Sequence, residues 1–286
     1  RRGNLLPTGS FEVGTDRWGI LIRESGSPSH AMEIQFKNPK AKIENRGAAN
    51  GDRYLRVDIP ENGRTKITST YIQAQPGRYT ISCWLAADRS RNVRIGIGSG
   101  YFQHGFKAIE TVGISTRWRR VSIPVNLEPA PDSLYYLVVE TSGKGNLKVD
   151  GASIRAGHFA GDDPNGGVEV GFDRQRQQTV FFPEDRISLW LNAANHGSRK
   201  AALEVWQIDF WGERRKLLEE SVGATERKCF RIAVKPKETG YYRFLAAARI
   251  DGSVQDRSEL AIAVVPRPTA ESSAALTLWH EIEPEL

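Results

Sequence analysis

Asn4-Leu5-Leu6-Pro7-Thr8-Gly9-Ser10-Phe11-Glu12-Val13-Gly14, with Trp18 just beyond it, decides how the first half of the chain folds. Its counterpart is Leu147-Lys148-Val149-Asp150-Gly151-Ala152-Ser153-Ile154. Both stretches read as strands, and each carries one carboxylate among apolar residues, Glu12 and Asp150. A buried carboxylate costs free energy unless something compensates it. A hard cation held by carboxylates and carbonyls is one such compensation; a hydrogen bond or an arginine partner is another. The two stretches are expected side by side, pinning the N-terminus to the end of a β-sandwich.

Between them the pattern is one of short strands. Apolar residues alternate at Met32, Ile34 and Phe36, at Leu55, Val57 and Ile59, and at Tyr79, Ile81, Cys83 and Leu85. The same alternation continues through Val93, Ile95 and Ile97, then Val121, Ile123 and Val125, then Tyr135, Leu137 and Val139. A period of two marks half-buried strands. Pro and Gly punctuate them at Pro60–Gly63, Pro76-Gly77 and Gly143–Asn146. Gly96-Ile97-Gly98-Ser99-Gly100 lacks the Lys and Ser/Thr of a phosphate loop and reads as a turn. The strand set predicts an all-β jelly-roll sandwich over residues 1–157.

The polar, glycine-rich stretch 158–167 reads as a linker. Strands resume over 168–267, with apolar stripes at Ile187, Leu189 and Leu191, at Phe230, Ile232 and Val234, and at Leu260, Ile262 and Val264. Roughly seven strands in about a hundred residues is the size of an immunoglobulin-like sandwich. Gly240-Tyr241-Tyr242 resembles a tyrosine corner. Trp190, Trp206 and Trp211 are expected in the core or between the domains. Residues 268–286 read as a tail or the start of a further domain.

The chain has 286 residues, 39% of them hydrophobic, which is enough for two ordinary cores. Its net charge is +6, but the basic residues form no tract and no nucleic-acid module signature occurs. No apolar run nears the ~18 residues of a membrane span. The opening Arg1-Arg2-Gly3 fits a processed N-terminus. Cys83 and Cys229 fall in different domains at alternating positions and read as buried thiols. The five histidines show no metal-ligand spacing, and no Gly-x-Ser-x-Gly elbow is present. No catalytic constellation emerges.

Strand parity does expose a candidate site. Tyr136, Val138 and Glu140 face opposite to the buried Tyr135, Leu137 and Val139, and Trp84 faces opposite to Cys83 and Leu85. Outward aromatic faces can stack on pyranose rings, and a carboxylate accepts hydrogen bonds from hydroxyls. Arg94, outward on its strand, suits an anionic sugar, and Tyr101 rims the groove or packs down. A covered outer face, buried by a loop or by the second domain, is the competing possibility.

Four motifs together resemble carbohydrate-binding modules of families 4, 9 and 22: Asn4–Gly14 with Trp18, Pro76–Ala87, Trp118–Val121 and Val149–Ile154. The resemblance spans about residues 4 to 156. It implies a jelly roll with a structural calcium. Glu12 and Asp150 would supply side-chain oxygens, and the backbone around Asn50-Gly51-Asp52 would add carbonyls. It also implies a sugar groove, onto which Trp84, Tyr136 and Glu140 carry over. The second half resembles the immunoglobulin-like spacers of secreted glycoside hydrolases. The expected ligand is then a polysaccharide or oligosaccharide, the expected location extracellular or periplasmic, and a catalytic domain would belong to a longer chain. A structural or adhesion protein and a catalytic jelly roll are the rival expectations.

Overall fold

The computed structural model describes residues 5–6, 9–15, 18–23, 40–99, 108–129, 134–157, 167–173, 178–236 and 238–267. The expected Met32–Phe36 strand, Tyr101, most of the expected linker and residues 268–286 lie outside them.

In the first half the strands are β1 (Trp18–Arg23), β2 (Ala41–Glu44), β3 (Tyr54–Ile59), β4 (Arg64–Ser69), β5 (Ile72–Gln73), β6 (Gly77–Ala87), β7 (Arg91–Ser99), β8 (Ala108–Ile114), β9 (Arg119–Leu127), β10 (Leu134–Ser142) and β11 (Gly145–Ala156). They build two sheets, β1-β4-β10-β7-β8 with β5 beside β10, and β2-β3-β11-β6-β9. Neighbours in sequence often sit in opposite sheets, as a jelly roll requires. The inward parities of both sheets meet in one core that includes Leu55, Ile67, Ile81, Leu85, Ile95 and Leu137, all fully buried.

Two local expectations need correction. The Asn4–Gly14 stretch is not a strand where it is described: Glu12 and Val13 lie in a turn. It nevertheless lies against β11, with the Leu5 amide donating to the Ile154 carbonyl and the Ala152 amide to that of Gly9, each at 2.8 Å. Phe11 and Trp18, both buried, pack against each other tilted at 42° with centroids 4.9 Å apart and close the end of the sandwich. Second, Gly96–Ser99 is strand, not turn. Gly96 and Gly98 fall between Ile95, Ile97 and Ser99 on the outward parity of Arg94, leaving that face of β7 bare beyond Arg94.

The second half contains β12 (Val168–Phe172), β13 (Val180–Phe181), β14 (Ile187–Asn195), β15 (Ala201–Ile208), β16 (Arg214–Val222), β17 (Arg227–Val234), β18 (Gly240–Ile250) and β19 (Ser253–Val264). Their order is β12-β14-β17 in one sheet and β13-β19-β18-β15-β16 in the other, with β13 parallel to β19. This is an immunoglobulin-like arrangement. The Tyr242 hydroxyl donates to the Glu238 carbonyl at 2.8 Å, completing a tyrosine corner. A second, separate core runs from Val168 to Val264.

The described tryptophans of this half, Trp190, Trp206 and Trp211, are not core. Trp190 and Trp206 occupy outward parities, half-buried beneath the cations of Arg231 and Lys216. Trp211 sits in a turn and is 80% exposed. Cys229 is exposed as well, because it alternates with the inward Phe230 and Ile232; only Cys83 is buried.

Candidate functional site

The residues expected to form one groove lie on opposite faces of the first sandwich. Tyr136 and Glu140 are on β10 and Arg94 on β7, all outward on one sheet. Trp84 is on β6, in the other sheet, facing away from them. Parity predicted outward correctly for all four residues, but outward from two different sheets.

Trp84 stands in β6 beside Asp150 and Gly151. It pairs with Asp150 and Arg120 across the sheet, and Arg120 stands over its ring at 6.0 Å. A Cβ on Gly151 would come within 2.9 Å of the indole, so bare backbone seats the ring there.

The remaining three residues converge. Glu140 lies opposite Arg94 on one side and Lys66 on the other, and the Arg94 guanidinium donates to the Glu140 carboxylate at 3.2 Å. Glu140 is largely shielded, its side chain 12% exposed, while Arg94 is 51% exposed and rims the face. Two outward positions along β10, past Val138, Tyr136 lies opposite Gly98. A Cβ on Gly98 would stand 2.3 Å from the ring's Cζ and 2.7 Å from Cε2. The phenol therefore lies across bare backbone, with the Tyr71 ring packed near-perpendicular to it at 5.4 Å and 83°. That geometry seats one ring face on the sheet and turns the other away from it. Burial raises the phenol's pKa, and Tyr71 and Glu140 add to the shift, so the hydroxyl stays a neutral donor. Tyr71 and the seat at Gly98 are contributions that alternation alone did not reveal. The signal for the seat was present: glycines two apart in a strand strip one face of it.

Glu12 and Asp150, expected to hold calcium, form a second cluster. Glu12 Oε1 accepts from the Asp52 and Arg53 amides at 2.7 and 2.8 Å. Its Oε2 accepts from Arg227 of the second domain at 3.1 Å. Asp150 Oδ2 accepts from the Ala49 and Asn50 amides at 2.8 and 2.7 Å, and Oδ1 from the Gly151 amide at 2.6 Å. Gly51, at φ +71°, lets the loop close, since a Cβ there would meet Glu12 Oε1 at 2.4 Å. Asp52 contributes its amide, while the Asp52 residue is exposed. This donor set does not fit calcium. Every carboxylate oxygen already takes an N–H, and a guanidinium brings positive charge to the place a cation would need. Among the described residues no three His, Cys, Asp or Glu side chains converge as a metal centre. Burial pushes Asp150 up to about 7 against the pull of those amides.

The same turn contacts the second domain again. Glu169 accepts from the Ser10 hydroxyl and, at 3.3 Å, from the Ser10 amide. Asn192 donates to the Val13 carbonyl at 3.4 Å. Burial raises Glu169 to about 8; the bonds from Ser10 oppose that shift, and Asp256 and Glu12 reinforce it.

No family model matches the chain, and no curated protein matches it. Among solved structures, TmCBM61 in complex with beta-1,4-galactotriose is similar at 13% identity over 54% of this chain and 99% of that one, with a TM-score of 0.38. The CARDB domain of the PF1109 protein from Pyrococcus furiosus, in complex with di-metal ions, is 18% identical over 34% of this chain and 87% of that one, TM-score 0.28. The Endo-D glycoside hydrolase domain from Streptococcus pneumoniae R6 covers 91% of this chain with 42% of its own length, at 11% identity and TM-score 0.37. At such scores likeness decides nothing about ligand or activity. Among the described residues no helix is long and apolar enough to cross a membrane.

Proposed function

We propose that the first domain binds an oligosaccharide or polysaccharide without transforming it, on the sheet face that carries Tyr136, Arg94 and Glu140. The observation that carries this reading is the seated ring: Tyr136 lies on the bare backbone of Gly98, on the same face as the Arg94–Glu140 pair and two outward positions from it. A fixed aromatic face stacks on the apolar side of a sugar ring at little cost in conformational entropy. Glu140 and Arg94 then accept from and donate to its hydroxyls, exchanging part of their mutual bond for bonds to the ligand. Trp84 is no part of this site.

The larger role that fits is an accessory region of a secreted polysaccharide-degrading enzyme, with its catalytic domain elsewhere in a longer chain. The test is a screen of the purified chain against a panel of polysaccharides, scored for binding and for product release. Binding without product supports the proposal. Turnover by this chain alone would replace it with a catalytic jelly roll, and no binding to any glycan would favour a protein partner.

A further inference from the structure

The outer face of the second domain's larger sheet holds a groove of about 690 Å³ that the first domain's site does not use. Its shape follows from side-chain size. Along the central strand β18 the outward residues Leu245 and Ala247 are short. On one side β15 presents Trp206 opposite Leu245 and Glu204 opposite Ala247; on the other β19 presents Glu259 and Arg257 opposite the same two residues. Long side chains flank short ones, so a trough forms over β18.

The trough is charged and unevenly paired. Four arginines line it, Arg214, Arg243, Arg249 and Arg257, against two glutamates. Arg243 pairs with Glu259 at 2.6 Å and Arg249 with Glu204 at 3.5 Å. Neither the Arg214 nor the Arg257 side chain has an acidic partner among the described residues, and both residues are exposed. At the end of the β15–β16 hairpin, whose last rung joins Ile208 to Arg214, stands an aromatic pair. Phe210 is 70% and Trp211 80% exposed, packed edge to face at 5.3 Å. Asp209 fixes this tip by accepting from the Trp211 and Glu213 amides. Large aromatics are costly to leave in water, and a pair held in place just beyond the Ile208–Arg214 rung, both of whose residues line the cationic groove, marks a binding surface.

We propose that this groove is a second binding site, for an acidic polysaccharide, with Arg214 and Arg257 pairing with its carboxylates and Trp211 stacking on a sugar ring. The charge pattern selects the occupant. Guanidiniums without an acidic partner favour an anionic ligand over a neutral one. Glu204 and Glu259 on the walls accept hydrogen bonds from hydroxyls, which a uronic-acid chain offers in abundance. The site lies on the other domain and stands independently of the Tyr136 site.

The test is affinity electrophoresis of the full chain in gels containing polygalacturonate or alginate, with a neutral galactan as control. Single-stranded DNA and phosphatidylserine vesicles serve as competing probes. Polyuronate retards the wild-type chain, and R214S/R257S weakens that retention roughly tenfold at low salt, the worth of two exposed ion pairs. Trp211→Ala weakens it as well, while Tyr136→Ala leaves it intact, which separates this site from the first domain's. Absence of retardation by any polyuronate overturns the proposal. So does retardation that R214S/R257S leaves unchanged, or tighter binding of DNA or vesicles through the same arginines. Thermal melting of each variant, expected to match the wild type because the altered side chains are exposed, confirms that retention is read on folded protein.

Discussion

Replacing Gly98 with Ala isolates the seat of Tyr136 from every other feature of the sandwich. The new methyl would stand 2.3 Å from the ring's Cζ, where ordinary contact begins at 3.4 Å, so the phenol must lift by about an ångström or swing away. Gly98 is strand backbone without a positive φ, so the main chain accepts alanine. The substitution also lowers the entropy of the unfolded chain, worth about 0.4–1 kcal/mol in favour of the fold. That gain offsets most of what is lost as the ring leaves Tyr71, a contact of about 0.5–1.5 kcal/mol. Net stability should therefore change by less than about 1 kcal/mol, a few degrees in melting temperature. Glycan affinity should fall about tenfold, the equivalent of ~1.4 kcal/mol of lost stacking. Affinity electrophoresis against a retained polysaccharide, paired with a thermal melt, reads both quantities. Full retention by a G98A chain whose near-ultraviolet spectrum shows the tyrosine displaced would refute the role given to that ring.

Three further outcomes are expected. Arg227→Ala removes the guanidinium partner of a carboxylate that is only 3% exposed, and should cost about 2 kcal/mol and speed proteolysis between the domains; a chain as stable and as resistant as wild type would show that the contact holds nothing. Neither calcium nor a chelator should move the melting temperature by more than about 1 °C, since a ligand that does not bind the native state cannot stabilise it; a rise of several degrees with calcium would show that Glu12 and Asp150 release their amides to a metal. Glu169, raised from 4.5 to about 8, favours the fold while protonated, so its contribution is complete below about 4.5 and gone once the pH passes about 8. His196, lowered by burial, works the opposite way but only below about 6.5. Denaturation should therefore show stability falling between pH 6.5 and 8 with a slope of at most ~1.4 kcal/mol per unit from Glu169, a slope that Glu169→Gln should flatten; an unchanged slope would assign it to Asp150 instead.

Alternation made most of the strands legible, because a period of two records burial directly. It could not record which sheet a strand joins. In a jelly roll β6 and β10 belong to opposite layers, so Trp84 and Tyr136 are both outward and yet lie on opposite faces of the sandwich. Glycine misled for a related reason. Gly96 and Gly98 are as suited to a turn as to a strand, and only the register against β10 shows that their missing side chains make room for a ring. Glu12 and Asp150 announced that something compensates them, but the donors come from the 49–53 backbone and from an arginine 215 positions away. Trp211 follows an apolar strand and looks like core; it sits beyond the end of β15, where the hairpin turns it into solvent.

The most direct measurement compares Tyr136→Ala with Trp84→Ala for retention on whichever polysaccharide holds the wild-type chain through its first domain. Retention lost with Tyr136→Ala and kept with Trp84→Ala is the predicted result. Retention kept without the phenol and lost without the indole would place the sugar on the opposite face of the sandwich and contradict the site described for β7 and β10.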